Sequence, residues 1–202
     1  SCWVIITLLY INEVQMKKVF LAALVSAAIA SPALDDQGHG KVTFKGEIID
    51  APCSISSDSI DQTVWLGQIA NSVLANGGTS SAKQFNIELE DCVFPKDADD
   101  KVYNDKVSIT FSGASAAFNS KLLGVTGLDA TDPTIAGNMG IQLTDTNGAA
   151  LNMGVATAQE HQLQAGDNTL RYSAYVQGAN VAVDKIPLGK FEGVTNFTLT
   201  YN

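Results

Sequence analysis

The stretch GHGKVTFKG at residues 38–46 decides the fold of this chain. Apolar and polar residues alternate in it, with Gly40, Val42 and Phe44 on one face. A period of two predicts a strand with one buried face. Flanking glycines weaken its own tendency to form, and no hairpin partner precedes it. We expect it to join a sheet formed elsewhere; the alternative is that it folds back as this domain's own edge strand.

The residues before this stretch read as a secretory leader. We expect residues 1–15 to be upstream sequence and residues 16–33 to be a signal peptide, with two lysines before a short apolar run. Cleavage after Ala33 is our prediction, and cleavage after Ala30 is the alternative. A transmembrane anchor is disfavoured because the apolar run is well short of the roughly 20 residues that a spanning helix needs.

Composition limits the remaining 169 residues to one domain with a sizeable core. Residues 34–202 carry 10 basic and 20 acidic residues, which disfavours binding to nucleic acid or to an anionic membrane. Two cysteines remain after the leader, Cys53 and Cys92. An even pair in a secreted chain predicts one disulfide, although two free buried thiols are the alternative.

Short alternating segments recur along the chain and predict an all-β protein. The predicted strands are residues 41–46 continuing through Glu47–Asp50, then Gln62–Ile69, Phe85–Glu90, Val107–Phe111, Ile141–Leu143, residues 170–176 and residues 197–201. A turn is predicted at Asp145–Gly148, loops at residues 71–82 and 95–105, and at most a turn of helix at Ala114–Phe118. Many short strands between Gly, Asn and Asp favour a β-sandwich.

No group of residues in the sequence points to catalysis or to a cofactor. The two histidines, His39 and His161, are far apart, and metal sites usually need several closely spaced ligands. Three aspartates at residues 97–100 lack the glycine and distal glutamate of a calcium loop. We therefore predict no metal, no cofactor and no enzymatic activity.

Four motifs together resemble the major fimbrial (pilin) subunits of the chaperone–usher type, such as those of type 1 and P pili. They are KVTFKGEIIDAPCSI at residues 41–55, DQTVWLGQ at residues 61–68, FNIELEDC at residues 85–92, and a C-terminus with Gly189 fourteenth from the end and Tyr201 penultimate. The resemblance covers nearly all of the chain after the leader.

The resemblance implies an incomplete immunoglobulin-like β-sandwich that lacks its last strand. A donor strand from another subunit or from a periplasmic chaperone would complete it, and subunits would assemble at an outer-membrane usher. Residues 34–46 would form the donor extension and residues 47–202 the pilin domain. The implied donor residues are Gly40, Val42, Phe44 and Gly46, and the implied groove and recognition residues are Gly189, Phe197, Leu199 and Tyr201.

The implied product is a fimbria on the cell surface, built from secreted subunits and supporting adhesion. A minor adaptor pilin would share the same motifs, so this alternative stays open. A receptor-binding tip adhesin would carry an additional N-terminal lectin domain. The donor-like stretch begins close behind the predicted cleavage site, which disfavours a tip role.

Overall fold

The computed structural model describes residues 40–202, so the predicted leader and His39 lie outside the described residues. The chain divides into two units, Ser1–Glu47 and Ile48–Asn202. Within the first unit, residues 40–47 form neither helix nor strand. Val42 and Phe44 are 75% and 91% exposed, so the apolar face of this stretch is not buried.

The regular structure of the second unit is mostly β-strand. Its strands are β1 (Ser54–Ile55), β2 (Lys83–Cys92), β3 (Lys106–Gly113), β4 (Ser115–Ala116), β5 (Asn119–Leu123), β6 (Met139–Thr144), β7 (Ala150–Leu151), β8 (His161–Gln162), β9 (Gly166–Gly178) and β10 (Thr195–Tyr201). Three single-turn helices connect them: α1 (Ser57–Ile60), α2 (Asn71–Leu74) and α3 (Pro133–Ala136), with 3₁₀ turns at Ala75–Gly77 and Val183–Lys185.

The strands form two antiparallel sheets. The first has the order β1-β2-β9-β6-β5-β4, with β7 paired to β6, and the second has the order β10-β3-β8. Phe111 of the second sheet meets Tyr172 of the first edge to face, with ring centroids 5.3 Å apart, and Phe85 lies 6.1 Å from Phe111. Edge-to-face aromatic packing adds to the burial of apolar area between the sheets. The predicted all-β sandwich is confirmed.

Alternation in the sequence accounts for the central strands. In β9 the inward residues Leu170, Tyr172, Ala174 and Val176 are all buried, as their period of two predicts. The predicted turn after β6 also forms, because the Asp145 carboxylate accepts bonds of 2.8 Å from two backbone amides beyond it. Such local side-chain bonds are the reason that aspartate favours turns.

Several predicted elements are wrong. Gln62–Ile69 and Glu47–Asp50 are not strands, because within residues 40–202 no neighbouring strand supplies ladder hydrogen bonds to them. Residues 41–46 likewise form no strand, and the alternative of an own edge strand is not observed. The Ala114–Phe118 segment contributes β4 to the first sheet instead of a helical turn, and the predicted loop at residues 71–82 contains α2 and a 3₁₀ turn.

In the described part of the chain, none of the helices has the length and apolar character needed to cross a membrane.

Candidate functional site

The second sheet has an open edge at β10. All seven residues of β10 pair with β3, from Thr195 opposite Gly113 to Tyr201 opposite Val107. The ladder closes at the chain end, where the Asn202 amide donates to the Lys106 carbonyl at 2.9 Å. Within residues 40–202 no strand pairs with the other side of β10. An unpaired edge of this length is a template for a strand from elsewhere.

The side chains of β10 are also only half covered. Cross-strand neighbours on the inner face are Phe197 with Phe111, Leu199 with Ile109, and Tyr201 with Val107. The three β3 members are buried, at most 3% exposed, whereas all three β10 members are only partly buried. The apolar face of the sheet therefore continues past β3 and is only partly covered at β10.

The pKa of Tyr201 agrees with its partial burial. Burial raises the pKa of its hydroxyl above the ordinary tyrosine value, because a phenolate would lose hydration there. In the first sheet, burial raises the pKa of Tyr172 further, with a smaller contribution from Asp145. Its hydroxyl lies 3.2 Å from the His161 Nε2 atom. The two tyrosines thus mark a closed and an open part of the same core.

A cleft of about 580 Å³ borders the C-terminal end of β10. Its walls are Leu199, Thr200 and Tyr201 on one side, and Asp50, Ala51, Pro52, Val93, Pro95 and Asn104 around the rest. The disulfide between Cys53 and Cys92 follows directly on Pro52 and confirms the predicted pairing. The Val93 amide also donates to the Pro52 carbonyl at 2.8 Å. These two links fix the far wall of the cleft to the end of β2.

A second unpaired segment follows α1. The Gln62 side chain donates to the Asn86 carbonyl of β2 at 3.0 Å, on the edge of β2 where β1 also pairs. Beyond it, Val64 and Leu66 are half-buried, while Trp65 between them is 83% exposed. Leu66 packs against the same core as the β10 side chains. The segment has the alternating burial of a strand without a partner.

The predicted donor residues are uncovered as well. A Cβ atom added at Gly40 or at Gly46 would meet nothing within 4 Å. Together with exposed Val42 and Phe44, these residues form an apolar face that the described structure leaves unused. Their role as donor residues stays a prediction.

Gly189 has a local structural role. Its φ angle is +110°, and a Cβ atom there would lie 2.7 Å from the Asp129 carboxyl. Only glycine adopts this backbone at low cost so close to a neighbour. The Asp129 amide donates to the Leu188 carbonyl at 2.9 Å beside it. The structure does not group Gly189 with the β10 side chains, and its predicted recognition role stays untested.

Sequence reasoning missed the exposure of Trp65. The strand predicted at Gln62–Ile69 does not form, because the sequence could not show whether a partner strand belongs to the same chain. The chemistry available at this edge is strand addition: unpaired backbone groups beside half-covered apolar side chains.

The fold and its open edge define a class of protein, a β-sandwich in which, within residues 40–202, the C-terminal strand β10 is paired on one side. The sequence profile of the Fimbrial protein family matches residues 42–202, and the chain belongs to this family of fimbrial subunits.

Similar proteins agree over nearly the whole chain. The Fimbria A protein of Serratia marcescens is 42% identical over 188 residues, covering 93% of this chain and 99% of the relative. The Major MR/P fimbria protein of Proteus mirabilis is 38% identical, covering 90% of this chain and 92% of the relative. These likenesses confirm the resemblance seen in the motifs.

Solved structures agree with the fold. The crystal structure of the P pilus rod subunit PapA has a TM-score of 0.58 at 28% identity, covering 75% of this chain and all of that chain. A chaperone–usher pilus structure has a TM-score of 0.60 at 31% identity, covering 82% of this chain and 97% of that one. Membership of this structural family also confirms that the chain is not an enzyme.

Proposed function

We propose that this subunit polymerises head to tail by donor-strand exchange, with residues 40–46 of one copy filling the open edge of β10 in the next. The observation that carries the proposal is the half-covered row Phe197, Leu199 and Tyr201 beside an unpaired strand edge. Strand addition of this kind is already established for chaperone–pilin complexes.

The donor stretch exposes apolar side chains that could be buried, and the open edge of β10 has backbone groups that could be paired. Val42 and Phe44 are exposed in the first unit, and burying each would contribute about 1.5–3 kcal/mol. Each backbone hydrogen bond gained along β10 would add about 0.5–1.5 kcal/mol net. Gly40 suits the place where donor and acceptor backbones approach most closely, because it has no side chain to accommodate.

Exchange between copies gives a filament. The donor and acceptor surfaces are different parts of the chain, so each contact is head-to-tail and does not close on itself. Because the relatives carry names such as Major MR/P fimbria protein, we assign this chain to the fimbrial rod, which would support adhesion at the cell surface. Counting its copies in sheared fibres tests this assignment, since an adaptor would be present in only a few copies per fibre.

Before assembly, the open edge needs temporary cover. A periplasmic chaperone would lend a strand to β10, and an outer-membrane usher would exchange it for the next subunit's donor stretch. The Cys53–Cys92 disulfide suits passage through an oxidising compartment such as the periplasm.

A synthetic peptide tests the proposal. The mature chain, residues 34–202 by the predicted cleavage, should fold with low stability and tend to self-associate when refolded alone. Excess peptide of residues 35–47 should give a stable monomeric complex with a higher melting temperature. A mature chain that melts as a stable monomer and ignores the peptide would contradict donor-strand exchange.

A further inference from the structure

Exposed apolar side chains border the cleft at the C-terminal end of β10. Ile48 and Ile49, which directly precede the cleft residue Asp50, are 99% and 51% exposed, and the cleft residue Val93 is 73% exposed. The bond from the Val93 amide to the Pro52 carbonyl holds the two segments together. Apolar side chains grouped on a surface often mark a contact with another protein. We call Ile48, Ile49 and Val93 the entry patch, because the chain enters the sandwich here.

Chain connectivity brings the entry patch to a neighbouring subunit. Under the proposed exchange, residues 40–46 lie along β10 of the next copy. Ile48 is four residues after Phe44, and four residues of extended chain span at most about 14 Å. Ile48 therefore lies at the surface of the copy that receives the donor stretch, and Val93 comes to the same side with it.

The Tyr201 end of β10 is already bordered by the subunit's own entry patch. Leu199, Thr200 and Tyr201 line the same cleft as Asp50. A neighbour standing at that end would meet the entry patch with its own, so two like surfaces would face each other. Head-to-tail growth requires unlike surfaces to meet. The body of the donating subunit is therefore expected at the other end of β10, where Thr195 begins the strand.

The Thr195 end of β10 offers a small uncharged surface. Val194, directly before the strand, is 66% exposed, and Gly113, opposite Thr195, and the following Ala114 are exposed as well. A Cβ atom added at Gly113 would lie 2.7 Å from the Val194 carbonyl oxygen, so the two backbones are close together. We call Gly113, Ala114 and Val194 the Val194 surface.

We propose that the entry patch of one subunit packs against the Val194 surface of the copy that receives its donor stretch. The inference rests on the proposed donor-strand exchange. Specific interfaces usually involve about 20–30 residues a side, so three side chains do not join two subunits by themselves. Once the donor stretch is in place, the contact sets the angle between successive subunits and slows their separation.

Cross-linking tests which surfaces meet. Fibres of the mature chain with both Ile49→Cys and Val194→Cys, treated with a short bifunctional maleimide, should give a ladder of linked copies in denaturing electrophoresis. Fibres of either single variant should give no ladder, because each thiol then lacks a partner on the facing subunit. Fibres with Ile49→Cys and Thr200→Cys test the other end of β10. A ladder from that pair, or none from Ile49→Cys with Val194→Cys, would overturn the inference.

Fibre dissociation tests what the contact contributes. Ile48→Ser combined with Ile49→Ser should speed dissociation of fibres in guanidinium chloride about five- to thirtyfold, because the burial of two apolar side chains is lost. Val155→Ser is the matched control, since Val155 is 56% exposed but lies beside the middle of β3, on the side away from β10. An equal effect of the control, or no effect of the double substitution, would contradict the contact.

Peptide binding separates this contact from the exchange on which it rests. The peptide of residues 35–47 contains neither isoleucine of the entry patch. By calorimetry, it should therefore bind the Ile48→Ser, Ile49→Ser chain as tightly as the wild-type chain. Weaker peptide binding to this variant would mean that the isoleucines act within their own subunit, which overturns the inference while donor exchange stands. If the peptide does not bind the wild-type chain, the proposed function fails and the contact fails with it.

Discussion

The strands β3 and β10 carry the same alternating pattern and pair residue for residue, but only one of them is covered. Val107, Ile109 and Phe111 of β3 are at most 3% exposed. Their partners on β10 are half-buried, although they are equally apolar. The difference lies in the neighbours, since β3 has a strand on each side and β10 has one. The comparison locates the missing cover at one side of β10.

The largest expected effect is in the covered strand. Ile109→Ala should lower the free energy of unfolding by about 2–5 kcal/mol, because it leaves a cavity in a closed core. The loss should be the same with and without the peptide of residues 35–47, as measured by urea denaturation of the mature chain. A loss that appears only with the peptide would mean that β3 is not independently covered.

A donor-side substitution should be nearly as costly, but only for assembly. Phe44 is 91% exposed, so Phe44→Ala should not change the stability of its own subunit. In the peptide, the same change should weaken binding about ten- to a hundredfold, since the burial of the ring is lost. Thr43→Ala in the peptide is a control of similar position on the opposite face. Unchanged affinity of the Phe44→Ala peptide would remove Phe44 from the donor role.

Leu199→Ala should be intermediate and should depend on the donor. Without the peptide, the loss of stability should be about half of that at Ile109, because the side chain is only partly covered. With the peptide bound, the loss should approach the Ile109 value. Paired urea melts in both states measure this, and a loss that does not grow with the peptide would show that the donor does not cover Leu199.

The smallest expected effect is on the free energy of unfolding at alkaline pH. Burial raises the pKa of both Tyr172 and Tyr201, so the folded state binds the phenolic proton more tightly than the unfolded state. Stability is therefore complete below the unfolded tyrosine pKa of about 10 and falls as the pH rises above it. Tyr172→Phe should remove most of this fall and Tyr201→Phe a smaller part, in urea melts at about pH 8 and pH 11. Equal effects of the two substitutions would contradict the half-open position of Tyr201.

The parts of the fold that the sequence predicts are those whose partners lie in the same chain. Residues 85–90 and 170–176 alternate, face each other in β2 and β9, and form strands as expected. Gln62–Ile69 was also predicted as a strand and forms none, because a sequence pattern describes the segment and not the neighbour that pairs with it. Strand prediction therefore fails where a partner strand is missing from the described chain.

Some features of the candidate site could likewise be predicted from the sequence, and others could not. The disulfide was predictable because an even number of cysteines in a secreted chain is expected to pair. The inward face of β10 was predictable because its apolar residues recur at every second position. The contact of Gly189 with Asp129 was not predictable, because it joins residues 60 apart through a loop whose path no local pattern sets. The exposure of Trp65 was equally hidden, since its outward direction follows from which neighbours reach the core.

Hydrogen exchange at the β10 amides tests the central claim most directly. In the mature chain alone, amides of β10 bonded to β3 should be protected, and those facing the open edge should exchange rapidly. Adding the peptide of residues 35–47 should protect the open-edge amides as well, with little change in β3. If the open-edge amides are already protected without the peptide, or stay unprotected with it, β10 is not the acceptor strand.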